Sequence, residues 1–305
     1  MSVIKRLSDR VAIIGVGNMG GAMARRLLSQ GWAVNVCDIV SQRSGALQRL
    51  GAKVCANPGL AVRDASVSLL VVVDAQHCEE VLFGIHGVVS SARAGHTVLI
   101  CPTLAPAEVT AMAARLGAAG ISVIEAPMSG GPQRAEQGSM SLMLAGRADL
   151  LDQHAMLLED LAAHRYAISE ILGDASKTKL VNNLAAAVLL LGTAEALALA
   201  KALGLDQSAT LDVMEKSSGQ SWIGSDRMRR YLAGDRSPRA QLSLLAKDTR
   251  LALQAGAEVS FEGPLGTATR DAFERACQSG LVDEDDATLV EWLDSTAKAV
   301  GGQRA

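Results

Sequence analysis

Three glycines and one aspartate near the start of the chain have types and spacing suited to nucleotide binding. Gly15, Gly17 and Gly20 form a GxGxxG pattern between an apolar run and a helical pattern. Asp38 ends a second apolar run about twenty residues later. Such glycines permit a tight turn, close approach of the backbone to a pyrophosphate and close helix–strand packing, and the aspartate accepts hydrogen bonds from a ribose. The pattern predicts a βαβ dinucleotide-binding unit; the alternative is a glycine-rich turn in another α/β protein.

A second candidate is the segment EAPMSGG at residues 125–131, which follows a predicted strand. A serine and two glycines at the C-terminal end of a strand expose a hydroxyl and backbone N–H groups, and that end of an open α/β sheet faces the ligand crevice. We predict that Ser129, Gly130 and Gly131 hold a substrate carboxylate. An ordinary Gly-Gly turn has the same sequence and is equally compatible with the spacing.

A third candidate is the segment KLVNN at residues 179–183, near the start of a predicted helix. Lys179 and Asn183 are four residues apart and share one helix face. At the mouth of an apolar cleft, desolvation lowers the pKa of a lysine, which then serves as general base on an alcohol or general acid on a carbonyl. Asn183 offers one donor and one acceptor to a substrate. Polar surface residues at a helix start would give the same pattern.

The elements that must position these groups fall into two parts. Strand-like apolar runs alternate with helical patterns as far as residue 144, which predicts a doubly wound, mainly parallel sheet. From about Ser169 helical periodicity dominates, beginning with a helix over 175–203 whose middle, LAAAVLLLG, is apolar on every side. We therefore expect this helix to be buried all round, as a spine or a subunit interface. The predicted domains are residues 1–170, which bind cofactor, and residues 171–305, which bind substrate and form oligomer contacts.

Later signals divide the second part into shorter helices. Gly204 is expected to end the long helix, and Asp206 or Ser208 to cap the next one. Further helices are predicted over 242–254, 264–278 and 285–298. The acidic run at 283–286 is interpreted as charge at a helix N-terminus rather than as a metal site.

Composition limits the class of protein. The chain has 305 residues, 49% of them hydrophobic and 20% charged, which allows about two domains with sizeable cores. The net charge of −3 and the absence of a basic block argue against nucleic acid as a partner. Five scattered cysteines without a CxxC pair, and five histidines without ligand spacing, predict free thiols and no metal site. Thr193 and Glu195 interrupt the most apolar segment, and no signal peptide is apparent, so a cytoplasmic protein without a membrane span is expected.

Four motifs in order resemble those of the β-hydroxyacid dehydrogenases, a family that includes 3-hydroxyisobutyrate dehydrogenase and, as a larger relative, 6-phosphogluconate dehydrogenase. IIGVGNMGGAMARRL resembles the family's nucleotide fingerprint, and EAPMSGGPQRAEQGSMSLMLAG its substrate signature. KLVNN resembles its catalytic helix, and LLAKDTRLAL its Lys-Asp segment. The resemblance extends from Val11 to about Trp292 and implies a Rossmann-type domain followed by an all-α domain joined by a long helix.

The resemblance also implies residue roles. Lys179 would be the general acid/base, Lys247 would close over cofactor and substrate, and Asp248 would brace its helix. The substrate would be bound by four residues: Ser129, Gly130, Gly131 and Asn183. The cofactor would contact residues of the fingerprint, the ribose-binding position and two later segments: Gly15, Gly17, Asn18, Met19, Gly20, Asp38, Thr103 and Lys247.

The function predicted from these features is NAD-dependent oxidation of the β-hydroxyl of a small 3-hydroxy acid or sugar acid, similar to L-threonate or 3-hydroxyisobutyrate, by a homodimer or homotetramer. Asp38 favours NAD because it would repel a 2′-phosphate, although Arg43 nearby would allow NADP. One alternative is an NADPH-preferring reductase of a small semialdehyde such as tartronate or succinic semialdehyde. Another is a dinucleotide-binding sensor without turnover.

Overall fold

The described part of the chain forms a nine-stranded sheet followed by a helical unit. The computed structural model describes the backbone of residues 10–301 and the side chains of residues 10–295. The chain divides into two compact units, and the boundary between them in the sequence lies between Lys179 and Leu180. The predicted architecture, a doubly wound α/β part and an all-α part with a long helix, is confirmed.

The strands of the first unit are, in chain order, β1 Arg10–Ile14, β2 Ala33–Cys37, β3 Lys53–Val54, β4 Val67–Leu70, β5 Thr97–Ile100, β6 Ser122–Glu125, β7 Met128–Ser129, β8 Met140–Ala145 and β9 Ala162–Ser169. Their spatial order is β3-β2-β1-β4-β5-β6-β8-β7, with β9 paired to β8. Strands β1 to β6 run parallel, whereas β8 is antiparallel to β6 and β7. The order reverses at β1, so the loop after β1 lies at a switch point, where ligands bind in such sheets.

Helices cover both faces of the parallel strands, and they are α1 Asn18–Ser29, α2 Ser41–Arg49, α3 Pro58–Val62, α4 Ala75–Phe83, α5 Pro106–Ala118, α6 Gly131–Gln137, α7 Ala148–Gln153 and α8 Ala155–Leu161. Two separate hydrophobic clusters result. Val11 and Ile13 of β1 belong to one cluster, and Ala12 and Ile14 to the other. Burial of both faces explains why these strands are continuous apolar runs in the sequence.

Strand β9 was not predicted from the sequence. It pairs parallel with β8 along Met140–Ala145, with shifts in register at both ends. Most of its residues are exposed, including His164 and Tyr166. An exposed strand does not need alternating apolar residues, so its sequence lacks the hydrophobic pattern by which a strand is predicted.

The remaining helices are α9 Asp174–Ala202, α10 Gln207–Glu215, α11 Trp222–Leu232, α12 Leu242–Glu258, α13 Pro264–Ala276 and α14 Leu289–Gly301, with a π-helical turn at Cys277–Leu281 and a 3-10 turn at Asp286–Thr288. The helices predicted for this part of the chain are confirmed, but α11 was not predicted, and in the first unit α3, α6, α7 and α8 were not predicted either. Asp206 caps α10 by accepting a hydrogen bond from the Ala209 N–H at 2.7 Å, as predicted. The helical core of the second unit is built around the fully buried Phe273.

The expectation that the long helix is buried all round is wrong for the single chain. Leu190, Ala194 and Leu197 are fully buried, but Val181 is 71% and Leu199 58% exposed. The reason is that the helical unit packs on one side of α9 and leaves the other face apolar but uncovered. Among the described residues, α9 is the one helix long and apolar enough to cross a membrane by length and composition, and 39% of its most apolar window is buried.

The acidic run at 283–286 has a role beyond the predicted helix start. Asp285 does accept a hydrogen bond from the Ala287 N–H at 3.1 Å at the start of the 3-10 turn. Both Asp285 and Asp286 are also buried and ion-paired, with Arg230 at 3.0 Å and Arg227 at 2.6 Å respectively. The run therefore joins α11 to the segment before α14, which its spacing did not indicate.

Candidate functional site

The glycine loop after β1 has a backbone that only glycine fits at two of its three positions. Gly15 has φ of +87°, and a Cβ there would lie 2.3 Å from the Val71 carbonyl oxygen. A Cβ on Gly20 would lie 1.9 Å from the Gly15 carbonyl oxygen. The first glycine therefore lets the loop turn against β4, and the third lets α1 lie directly on the loop.

Gly17 differs because the space beside it is open. Among the residues that the structure describes, the atom nearest to a Cβ there would be the Arg43 Nη1, at 3.9 Å. Gly17 is also the N-cap of the twelve-residue helix α1, which has no side-chain cap and no acidic residue in its first turn. A helix start of this kind offers N–H groups and a positive dipole end to an anion, so the loop fits a pyrophosphate. Exposed Asn18 and half-buried Met19 form the helix's first turn.

Asp38 is fixed at the edge of the same loop. Its Oδ2 accepts a hydrogen bond from the Val16 N–H at 2.7 Å, and its Oδ1 accepts one from the Val40 N–H at 2.8 Å. The Arg43 Nη1 lies 3.6 Å from Oδ1. Each carboxylate oxygen has two lone pairs, so the group can still accept a hydrogen bond from a ribose hydroxyl. The structure thus brings the glycines and the predicted ribose-binding residue together through Val16.

The predicted carboxylate-binding loop also has a backbone suited to glycine. Gly130 has φ of +128° and Gly131 has φ of +74°, values that side-chain-bearing residues rarely adopt. Ser129 is half-buried and lies in β7, opposite Ser141 of β8. The Gly130 Cα faces the aliphatic part of Arg134, whose Cδ would lie 3.0 Å from an added Cβ. The positive φ angles of this loop therefore favour glycine at both positions, whether or not the loop binds a carboxylate.

Lys179 lies in the second turn of α9 and is 7% exposed. Burial of an ammonium group costs free energy that hydrogen bonds or an opposite charge must offset. The start of this helix is held by Glu125, the last residue of β6, which is fully buried. Sequence reasoning quoted Glu125 only as part of the EAPMSGG segment and assigned it no role. No spacing could have shown that it contacts a helix some fifty residues later.

The second unit brings Asn183 and the Lys247-Asp248 pair together. The Asn183 Nδ2 donates a hydrogen bond to the Asp248 Oδ2 at 2.6 Å, and both side chains are buried. The Asn183 Oδ1 accepts one from the Asn182 Nδ2 at 3.1 Å. The Lys247 Nζ lies 3.0 Å from the Asp248 Oδ1. Asp248 therefore orients the asparagine amide, a contact that sequence reasoning missed. Thr103 follows β5 and is half-buried in the first unit.

Comparisons with known proteins identify the families that this chain resembles. Residues 10–173 match the profile of the NAD binding domain of 6-phosphogluconate dehydrogenase, and residues 173–293 match that described as NAD-binding of NADP-dependent 3-hydroxyisobutyrate dehydrogenase. The L-threonate dehydrogenase of Cupriavidus necator is 33% identical over 93% of this chain and 96% of its own length.

Two solved structures are also similar. The crystal structure of 3-hydroxyisobutyrate dehydrogenase from Salmonella typhimurium has a TM-score of 0.88 and 30% identity, covering 93% of this chain and 99% of that one. Psf3, in complex with NADP+ and 2-OPP, has a TM-score of 0.88 and 26% identity over the same shares of the two chains.

The matched profiles and relatives define a dehydrogenase that uses a nicotinamide dinucleotide, NAD or NADP, and acts on CH–OH groups. Within that class, the chain belongs to the β-hydroxyacid dehydrogenase family, as the four sequence motifs implied. Its general reaction is the oxidation of a hydroxy acid.

Proposed function

We propose that the protein oxidises the β-hydroxyl of a small 3-hydroxy acid or sugar acid, similar to L-threonate or 3-hydroxyisobutyrate, with NAD as hydride acceptor and Lys179 as general base. The observation that carries this proposal is the burial of Lys179, which is 7% exposed on the second turn of α9. A lysine kept out of water in an enzyme of this class has the chemistry required to move the hydroxyl proton.

The residue roles follow from the chemistry of each group. Ser129 and the N–H groups of Gly130 and Gly131 bind the substrate carboxylate, and Asn183 orients the substrate. Lys179 takes the hydroxyl proton while the C–H hydride leaves for NAD, which supplies the redox chemistry when bound. In the opposite direction Lys179 returns the proton to the carbonyl oxygen. Residues 1–170 form the cofactor domain, and residues 171–305 the substrate and oligomerisation domain.

The remaining cofactor contacts extend over both parts of the chain. In the first part of the chain, the contacts are made by the glycine loop, the start of α1, the ribose-binding carboxylate and the residue after β5. In the second part, the contact is made by Lys247, which closes over cofactor and substrate. The full set is Gly15, Gly17, Asn18, Met19, Gly20, Asp38, Thr103 and Lys247.

The preference for NAD rests on Asp38. Its carboxylate is held beside the glycine loop by the Val16 and Val40 N–H groups, so it cannot turn away from an incoming 2′-phosphate without losing both hydrogen bonds. The repulsion between the two anions disfavours NADP. The preference is measured as the ratio of kcat/KM for NAD to that for NADP, and a ratio below one would contradict it.

A second candidate function is NADPH-dependent reduction of a small semialdehyde, such as tartronate or succinic semialdehyde. The observation that favours it is Arg43, whose side chain is 53% exposed and lies close to both Asp38 and Gly17. A guanidinium there could pair with a 2′-phosphate, and the similar Psf3 structure contains NADP+. Replacing Arg43 by alanine separates the two proposals: kcat/KM with NADPH falls only if Arg43 contacts the 2′-phosphate.

We also propose that the enzyme is a cytoplasmic homodimer or homotetramer. The support is the uncovered apolar face of α9, where Val181, Leu189 and Leu199 are each about half exposed or more. A long apolar stripe of this kind is unfavourable in water and is typical of subunit contacts. Sedimentation of the wild type and of Leu189→Glu tests this, because a charge in the contact should shift the equilibrium toward monomer.

The decisive experiment measures NADH formation with a panel of hydroxy acids, each with NAD and NADP: L-threonate, D-glycerate, L-serine, 3-hydroxyisobutyrate and 3-hydroxypropionate. We expect one acid to be oxidised with NAD. Lys179→Ala should lower kcat by about 100- to 10,000-fold, the usual contribution of a general base. Lys177→Ala is the matched control, since Lys177 is exposed and pairs with Asp174. Unchanged turnover in Lys179→Ala would contradict the proposed role.

A further inference from the structure

Glu125 is a fully buried carboxylate whose hydrogen bonds are not explained by any role proposed so far. It ends β6, four residues before Ser129. Its Oε2 accepts a hydrogen bond from the Gly173 N–H at 2.8 Å, and its Oε1 accepts one from the Ser176 N–H at 2.6 Å. Both donors lie at the start of α9, the helix that carries Lys179.

A carboxylate in this position can fix a helix strongly. The first N–H groups of an α-helix have no partner within the helix, and they lie at the positive end of its dipole. Hydrogen bonds from such groups to an ionised carboxylate are short and about twice as strong as neutral ones. Since Glu125 uses one oxygen for each of two donors three residues apart, it restrains both the position and the rotation of the first turn.

The rotation matters because Ser176 and Lys179 are three residues apart on α9 and share a helix face. The turn that Glu125 holds is therefore the one directly below the lysine. A second contact restrains the entry to the helix: Gly173 has φ of +102°, and a Cβ there would lie 3.3 Å from the Thr110 Cγ2 of α5. The backbone thus packs closely against α5 at this point.

We propose that Glu125 is a positioning residue for the reaction. It connects the end of β6, which leads directly into the Ser129–Gly131 loop, to the helical turn that carries Lys179. Through this connection it sets the distance between the lysine and the carboxylate-binding loop. The inference rests on the proposed function, because it requires Lys179 to act on the substrate. A misplacement of about 1 Å between reacting groups can cost about 100-fold in rate.

The test uses two substitutions of Glu125. Glu125→Gln keeps the shape but places an NH2 group against one of the two N–H donors, so one hydrogen bond and the charge are lost. We expect kcat to fall by about 10- to 100-fold, while the KM for the acid and the Kd for NAD change little. Glu125→Asp keeps the charge and both acceptor oxygens on a side chain one methylene shorter, and its kcat should lie between those of Gln and the wild type.

Glu108 provides a matched control. It also caps a helix of the first unit, accepting a hydrogen bond from the Ala105 N–H at 2.8 Å at the start of α5. Glu108→Gln likewise replaces a capping carboxylate by an amide, at the start of a helix without Lys179; the charge is lost, but the amide oxygen can still accept a hydrogen bond from the Ala105 N–H. We expect Glu108→Gln to lower Tm and to leave kcat at the wild-type value at 25 °C.

The outcomes separate the two proposals. If Glu125→Gln lowers Tm but retains the wild-type kcat, as Glu108→Gln should, Glu125 is only a structural cap and the inference is wrong. If Glu125→Gln does not fold, a wild-type kcat in Glu125→Asp together with a lowered Tm overturns the inference in the same way. If Lys179→Ala itself retains turnover, the proposed function fails, whatever the Glu125 variants do.

Discussion

The glycine loop and the buried polar contacts of the helical unit differ in how far apart in sequence their partners lie. In the loop, Gly15, Gly20 and Asp38 lie within one βαβ unit, and their spacing alone predicted the turn. In the helical unit, Asn183 contacts Asp248 from 65 residues away, and Arg230 contacts Asp285 from 55 residues away. The comparison shows that local backbone requirements leave a pattern in the sequence, whereas long-range pairings do not.

The largest expected effect breaks a long-range pairing. Asp285 is fully buried, and its hydrogen bonds come from the Arg230 guanidinium and from backbone N–H groups. Asp285→Ala leaves the Arg230 charge buried without this partner, so the free energy of unfolding should fall by about 3–5 kcal/mol. Urea denaturation measures it. Asp283→Ala, at an exposed position of the same run, should change it by less than about 0.5 kcal/mol. Equal effects at both positions would contradict the importance of the buried pair.

The next effect sharpens the local side of the comparison. Gly20→Ala places a Cβ 1.9 Å from the Gly15 carbonyl oxygen and should lower the free energy of unfolding by about 1–3 kcal/mol through overpacking. Gly17→Ala has open space, so its stability without cofactor should stay near the wild type. Its affinity for NAD should nevertheless fall by about 10-fold or more, because the methyl group occupies space that the pyrophosphate needs. Thermal unfolding and NAD titration distinguish the two, and equal stability losses would argue against this assignment.

A smaller effect concerns the contact between Asn183 and Asp248. The Asn183 Nδ2 donates a hydrogen bond of 2.6 Å to the Asp248 carboxylate. Asp248→Asn keeps the size of the side chain but replaces the carboxylate by a neutral amide, which is a weaker acceptor for this bond. The asparagine amide should lose its fixed orientation, and kcat/KM for the acid should fall by about 10-fold, equivalent to about 1.4 kcal/mol. Asp271→Asn, at an exposed position of α13, is the control. Unchanged kcat/KM in Asp248→Asn would show that the orientation of Asn183 is not needed.

The smallest expected effect is a pH dependence of stability in the first unit. Burial lowers the pKa of His96, against a weaker raising effect of its hydrogen bond with the Ala65 carbonyl oxygen. Its other ring nitrogen lies 2.8 Å from the Ser68 Oγ. The unfolded chain then binds a proton more readily than the folded one as pH falls below about 6.5, so His96 lowers stability toward acid pH.

The measurement is the free energy of unfolding between about pH 5 and pH 7.5, around the ordinary pKa of histidine, in the wild type and in His96→Gln. The variant should lose less stability toward acid pH than the wild type. Burial raises the pKa of Asp286 to about 6, which acts in the opposite direction, but this contribution is common to both proteins and cancels in the difference. Parallel pH profiles would contradict the role of His96. His164→Gln, at an exposed position, controls for loss of a histidine.

The amino-acid sequence alone determined the alternation of strands and helices in the parallel sheet, the long helix, the glycine loop and the family. These features act over a few residues, so each one leaves a local pattern in the sequence. They are the apolar runs buried on both faces, the GxGxxG spacing and the helix caps at Gly204 and Asp206. Strand β9 escaped prediction because an exposed strand needs no apolar face. Helix α11 was also missed, although its apolar residues recur with a helical period.

Only the tertiary structure decided which distant side chains meet. The Glu125 carboxylate at the start of α9, the Asp248 carboxylate on Asn183 and the pairing of Asp285 with Arg230 all join segments that lie far apart in the chain. The tertiary structure also decided that one face of α9 is uncovered. The composition of a helix shows how apolar it is but not which of its faces packs against other helices. The physical reason is that packing and hydrogen bonding act through space, whereas propensity and spacing act along the chain.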